Sequence, residues 1–133
     1  MKIIIAGAGA VGTHLAKLFS RDHQNCVLID EDASRLGDLD SRYDIMTLQG
    51  RTTSINTTSI NTMKDAGVEH ADLFVGVTPD ESRNMTACMI AHALGAKKTV
   101  ARIDNFEYLD PARKEFFNQM GSSKSTSSSS GLL

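Results

Sequence analysis

The chain has 133 residues and a mass of 14.4 kDa, enough for one domain that buries about two-thirds of its unfolded surface. Its 14 Lys and Arg against 16 Asp and Glu give a formal charge of −2, which argues against a basic nucleic-acid groove. Cys26 and Cys88 lie in apolar runs without CxxC spacing, no apolar stretch nears the roughly 20 residues of a bilayer crossing, and the N-terminus breaks into glycines too soon for a signal segment, so a reducing cytoplasmic setting is expected.

Ile3-Ile4-Ile5-Ala6 is an apolar run without alternation, as expected of a parallel strand covered on both faces. A glycine turn follows, and His14 to Arg21 carries Leu15, Leu18 and Phe19 on one helical face. Cys26-Val27-Leu28-Ile29 is the next buried strand and ends at Asp30; Ser34 to Asp40 predicts a short helix, and Asp44 to Leu48 a third strand. Leu73 to Val77 is a fourth strand. After it, Thr78 is the expected cap of a helix, with Pro79 in the first turn and Glu81 completing a capping box. Met85, Cys88 and Met89 form that helix's apolar stripe, and Gly95 is its stop. Thr99 to Ile103 is a fifth strand, and Asp110-Pro111 opens a last helix containing Phe116 and Phe117. Strand and helix alternating in this way predict α/β architecture: a doubly wound, Rossmann-like parallel sheet in a single domain.

Two stretches break the rhythm. Thr52-Thr53-Ser54-Ile55-Asn56 recurs unchanged as Thr57-Thr58-Ser59-Ile60-Asn61, too short a repeat for a solenoid, and 52–61 is read as a duplicated polar loop, natural or introduced by cloning. Residues 122–133 are Ser-rich and cannot build a core, which suits a linker or vector-derived tail and bounds the domain at 1–121.

The main chemical signal is Gly7-Ala8-Gly9-Ala10-Val11-Gly12, a GxGxxG that follows a strand and opens a helix. Gly7 permits the tight turn, Gly9 lets a pyrophosphate approach the backbone, and Gly12 allows close helix–sheet packing. Exposed N–H groups at the positive helix end then face the phosphates. Asp30 stands 18 residues after Gly12, at the end of the second strand, where a carboxylate accepts from a ribose diol; the competing use is a helix cap. Asp30-Glu31-Asp32 favours NAD over NADP by repelling a 2′-phosphate, with Arg35 as the counter-argument. Arg102 ends the fifth strand, where strand C-termini point into the ligand crevice; a solvated surface arginine is the alternative. His14, His23, His70 and His92 are scattered, so no metal is expected, and Cys88 reads as packing.

These segments also carry a resemblance. Residues 1–12, then Ala71 to Thr78, Asn84-Met85-Thr86-Ala87-Cys88 and Val100-Ala101-Arg102-Ile103 resemble the N-terminal half of an RCK (KTN) domain, as in TrkA-type regulatory subunits of bacterial and archaeal Trk potassium uptake. The resemblance covers 1–50 and 62–120. It implies binding of NAD(H), or of ATP and ADP, and control of a Trk-type potassium channel membrane subunit. It further implies homo-oligomers, dimer or tetramer, peripheral on the inner face of the plasma membrane. By the same resemblance the Gly7–Val11 backbone holds phosphates, Asp30 holds the adenosine ribose, Thr78 and Pro79 touch the ligand, and Arg102 contacts phosphate. Arg51-Thr52 departs from the small or acidic residue that many relatives carry near the adenine, and the connection between Gly50 and Gly67 is longer by one repeat copy. The match stops at Gly121, where relatives continue into a sixth strand and a C-terminal ligand-binding subdomain.

With no positioned general base and no substrate domain, the sequence reads as a non-enzymatic regulatory domain. Two alternatives stay open: the cofactor half of a truncated NAD-dependent dehydrogenase, and a dimerisation module with a vestigial site.

Overall fold

The five apolar runs become five parallel strands in one sheet. In the computed structural model, which describes residues 1–52 and 57–103, these are β1 (Lys2–Ala6), β2 (Asn25–Asp30), β3 (Ile45–Gln49), β4 (Leu73–Gly76) and β5 (Thr99–Ala101). The helix read after Asp110 and the Ser-rich 122–133 lie outside the described residues. Strand order is β3-β2-β1-β4-β5 and every pairing is parallel, with Ile4 opposite both Val27 and Phe74. The chain thus builds outward from β1 in one direction, then returns and builds outward in the other, which is the doubly wound Rossmann-like arrangement expected.

Side chains on successive strand residues point to opposite faces, so an unbroken apolar strand feeds two cores. Ile4, Val27, Ile29 and Phe74 pack with Met63, Met85, Cys88 and Ala91 on one face. Ile3, Ile5, Leu28 and Val75 pack with Ala16, Leu36 and Leu39 on the other. Each fully buried Ile, Leu or Phe contributes about 1.5–3 kcal/mol. The covering helices are α1 (Ala10–Arg21), the four-residue turns α2 (Ala33–Leu36) and α3 (Leu39–Arg42), α4 (Thr57–Ala66) and α5 (Glu81–Leu94).

Three local expectations are corrected. The single helix read over Ser34 to Asp40 is broken by Gly37, whose φ of +52° turns the chain between α2 and α3. The duplicated loop read over 52–61 is helical in its second copy, because α4 starts at Thr57. Ser59, Thr62, Met63 and Ala66 are buried together at helical spacing. Two of those four are hydroxyl residues, so a search for apolar periodicity misses the face. The cap of α5 is Asp80, not Thr78: the Asp80 carboxylate accepts from the Arg83 N–H at 3.2 Å. Gly95 ends α5 as expected, with φ +122°.

Candidate functional site

Where β1 and β4 lie side by side, the chain leaves one strand toward α1 and the other toward α5, and a crevice opens at the strand C-termini. It has a volume of about 290 Å³ and is walled by Gly7, Asp30, Gly50 and Thr52 on one side and by Thr78 and Pro79 on the other.

The glycine loop owes its shape to contacts that side chains would block. Gly7 has φ +119°, and a Cβ there would lie 3.0 Å from the Thr78 nitrogen. A Cβ on Gly12 would collide with the Gly7 carbonyl oxygen, so α1 packs directly on the turn that precedes it. Gly9 differs: a Cβ there would meet nothing within 4 Å, which leaves open space above its backbone. Gly9 also caps α1 without a side-chain acceptor, and no acid lies in the first turn. The positive helix end at Ala10, Val11 and Gly12 is therefore not compensated by side chains of its own segment.

Asp30 ties this loop to the end of β2. One carboxylate oxygen accepts from the Ala8 N–H at 2.8 Å and the other from the Asp32 N–H, also at 2.8 Å. Each oxygen retains a second lone pair for a ligand hydroxyl. Asp30 is thus a positioner of the loop as well as a potential acceptor, a role that spacing alone did not reveal. The helix-cap use belongs to its neighbour: Asp32 caps α2 through the Ser34 N–H and hydroxyl, which hold its carboxyl below the usual range.

Around Asp30 the charges come in pairs. Arg35 lies 3.8 Å from both Asp30 and Asp32, Arg51 is 3.1 Å from Glu31, and Arg83 reaches Glu31 at 3.6 Å and Asp80 at 3.5 Å. Arg35, Arg51 and Arg83 all line the crevice, so its acids do not act as an unopposed negative wall. Charge counting along Asp30-Glu31-Asp32 missed this, since Arg51 and Arg83 come from distant segments.

Thr78 sits where expected, beside Gly7, and Pro79 lies on the rim. Arg102 does not line the crevice. It follows β5 with its N–H donating to the Gly76 carbonyl at 2.8 Å and its own carbonyl accepting from Asn84. Asn84, part of the resembling segment 84–88 but given no role there, is fully buried and hydrogen-bonded to both strand ends. One signal was available: an Asn inside a helix, on the same face as Cys88 and Ala91, is a poor helix former in a costly place.

Cys26 and Cys88 are free and buried, one in each core, and burial pushes their thiols up to about 11 and about 12. Among the described residues no cluster of His, Cys, Asp and Glu could hold a metal ion. No described helix is long and apolar enough to cross a membrane.

The fold and this crevice define a Rossmann-like domain with a crevice at the topological switch point. The family profile of the TrkA-N domain matches residues 3–123, and the chain belongs to that family. The Trk system potassium uptake protein TrkA homolog of Archaeoglobus fulgidus is 38% identical over 116 residues, 86% of this chain and 25% of the relative. The TrkA of Haemophilus influenzae is 38% identical over 120 residues, 90% of this chain and again 25% of the relative, so the chain spans about a quarter of these proteins. Among solved structures, the TrkA-N domain of the Escherichia coli inner membrane protein ybaL shares the fold with a TM-score of 0.74 at 17% identity, covering 92% of this chain and 83% of that one. The GsuK channel bound to NAD does so with a TM-score of 0.68 at 14% identity, covering 91% of this chain and 20% of that one.

Proposed function

We propose that this domain is a nucleotide sensor for a Trk-type potassium uptake system: it binds NAD(H), or ATP and ADP, without consuming them, and passes occupancy to a membrane channel subunit. The observation that carries this reading is the meeting of the glycine loop, the Asp30 carboxylate and the Thr78 backbone at one crevice. The residues fit a dinucleotide. Open space over Gly9 leaves room for a pyrophosphate on the helix end, and the spare lone pairs of Asp30 suit a ribose diol. Thr78 and Pro79 close the opposite wall. Arg35, Arg51 and Arg83 offset the acids of the rim, so a 2′-phosphate is a fair competitor to be tested beside NAD.

Control of a channel needs more protein than this quarter-length chain, and it needs a ligand that prefers one assembly state over another. In this reading paired copies sit on the inner face of the plasma membrane. It draws on the potassium-uptake relatives and on a fold shared with a channel that binds NAD.

Calorimetric titration of the chain with NAD⁺, NADH, NADPH, ATP and ADP tests it. Saturable binding of at least one nucleotide at a stoichiometry near one per chain, with NADH unchanged on recovery, is expected. No heat with any of the five, or turnover of NADH, overturns the reading.

A further inference from the structure

Asn84 lies on the first full turn of α5 and has no exposure to solvent. Its side chain uses all four of its hydrogen-bonding positions. Oδ1 accepts from the Thr78 N–H at 2.8 Å and from the Thr78 hydroxyl at 2.7 Å. Nδ2 donates to the Thr78 carbonyl at 2.9 Å and to the Arg102 carbonyl at 3.0 Å. Because both Nδ2 partners are carbonyl oxygens and one Oδ1 partner is a backbone N–H, the amide fits in one orientation only. The approach of α5 depends on Gly76: a Cβ there would lie 3.1–3.3 Å from the Asn84 main chain and Cβ. The Gly76 carbonyl also receives the Arg102 N–H. One buried amide therefore joins the end of β4, the start of α5 and the residue that leaves β5.

We propose that Asn84 is the positioning residue of the crevice. It presents the Thr78 backbone to Gly7 in the ligand-ready geometry, and through its bond to the Arg102 carbonyl it makes occupancy of the crevice felt where the chain leaves β5. The proposal rests on the nucleotide reading above and names how that site is held and read out. The chemistry requires an amide. A carboxylate can keep the two Oδ1 acceptor contacts but sets a second oxygen against two carbonyl oxygens, and an apolar isostere takes away the Asn84 partner of three backbone groups, the Thr78 N–H and the Thr78 and Arg102 carbonyls. A residue that serves packing alone would tolerate either change at the cost of stability, with ligand affinity intact in the folded fraction.

The test uses the whole chain with NADH, or with whichever nucleotide the titration shows to bind, as the probe. Asn84→Asp is compared with Met85→Ala, a cavity on the same helix at a side chain that makes none of these hydrogen bonds, both assayed well below their melting points. Asn84→Asp is expected to lower affinity about tenfold, while Met85→Ala loses stability and keeps its affinity. Amide exchange adds the second readout. In the wild type saturating nucleotide slows exchange at 7–12 and at 99–103, and in Asn84→Asp protection stays at 7–12 and is lost at 99–103. Equal affinity in folded Asn84→Asp, or protection retained at 99–103, overturns the proposal while leaving the nucleotide reading intact. Absence of binding to the wild type removes both. If Asn84→Asp does not fold, Asn84→Ser, which removes the two Nδ2 donors and leaves room for water, takes its place: lowered affinity with protection lost at 99–103 supports the proposal, and unchanged affinity or retained protection overturns it.

Discussion

The two walls of the crevice are built by different physics. On the β1–β2 side, shape comes from main chain that has no side chains in its way: Gly7 turns left-handed, Gly12 seats α1 on that turn, and Asp30 pins the loop by one backbone N–H. On the β4–β5 side, shape comes from a single buried amide that satisfies main-chain groups from two strand ends. The first wall is bare backbone held in place by one carboxylate 22 positions away. The second needs an apolar helix face on which its polar group is hidden, with Asn84 and Arg102 18 positions apart. A wall made of glycines fails by steric collision. A wall made of one amide fails by leaving buried groups unpaired.

That contrast is open to attack at each wall. Gly12→Ala should have the largest effect, since its methyl group meets the Gly7 carbonyl oxygen and the backbone must move; a loss of about 3 kcal/mol in urea unfolding is expected, with nucleotide binding abolished. A fully stable Gly12→Ala would show that α1 can shift freely on the loop. Asp30→Asn should come next. It keeps one acceptor but loses the charge and sets an amide N–H₂ against the backbone donor of Ala8 or Asp32, so nucleotide affinity should fall by about 2 kcal/mol in calorimetry. Affinity unchanged in this variant would confine Asp30 to a structural role.

Each of the two cores beneath the walls holds one cysteine. Burial raises both thiols, to about 11 for Cys26 and about 12 for Cys88, against 9.0 for an unburied thiol. A group whose folded value is raised stabilises the fold below its unfolded value and loses that contribution as pH climbs toward the folded one. The thiol contribution to stability should therefore be constant from neutral pH up to about pH 9 and fall by on the order of 1 kcal/mol per thiol near pH 10. Denaturant melts across that range check the slope, and a flat profile to pH 11 would contradict it. Cys88 should also react with disulfide reagents more slowly than Cys26.

Deleting Thr57–Asn61 should have the smallest effect. The remaining copy is identical, so its Ser and Thr can take the α4 positions of Ser59 and its neighbours while only the connection from Gly50 shortens. Loop shortening of this size changes stability by about 0.6 kcal/mol. A melting temperature lowered by many degrees would mean that both copies are needed at once.

Much of the β1–β2 wall was legible in the residues themselves. GxGxxG after an apolar run and an acid 18 residues on are local signals, and backbone geometry without a Cβ follows from glycine alone. The strands were equally legible, because a run such as Ile3-Ile4-Ile5 can be covered on both faces only in a parallel sheet between helices. Thr78, for which the family resemblance implies a ligand contact, lines the crevice, and it is not the cap of α5 that the capping-box pattern suggested. Three acceptable cap residues lie between Thr78 and Ser82, and only packing decides which one starts the helix. The same holds for α4, whose buried face is half hydroxyl and carries no hydrophobic period to read.

What the sequence by itself determined is the alternation of buried strands with helices, the glycine turn, and the presence of an acid at the end of β2, since each is set by residue types within one turn or one strand. What only the tertiary structure decided is where long-range partners meet. Arg51 and Arg83 reach Glu31 across the crevice, Arg102 stays off its wall, and Asn84 becomes the clasp between β4 and β5. Charge pairing and the satisfaction of buried polar groups act through space at hydrogen-bond distance, and a linear sequence does not state which distant groups the fold will bring that close.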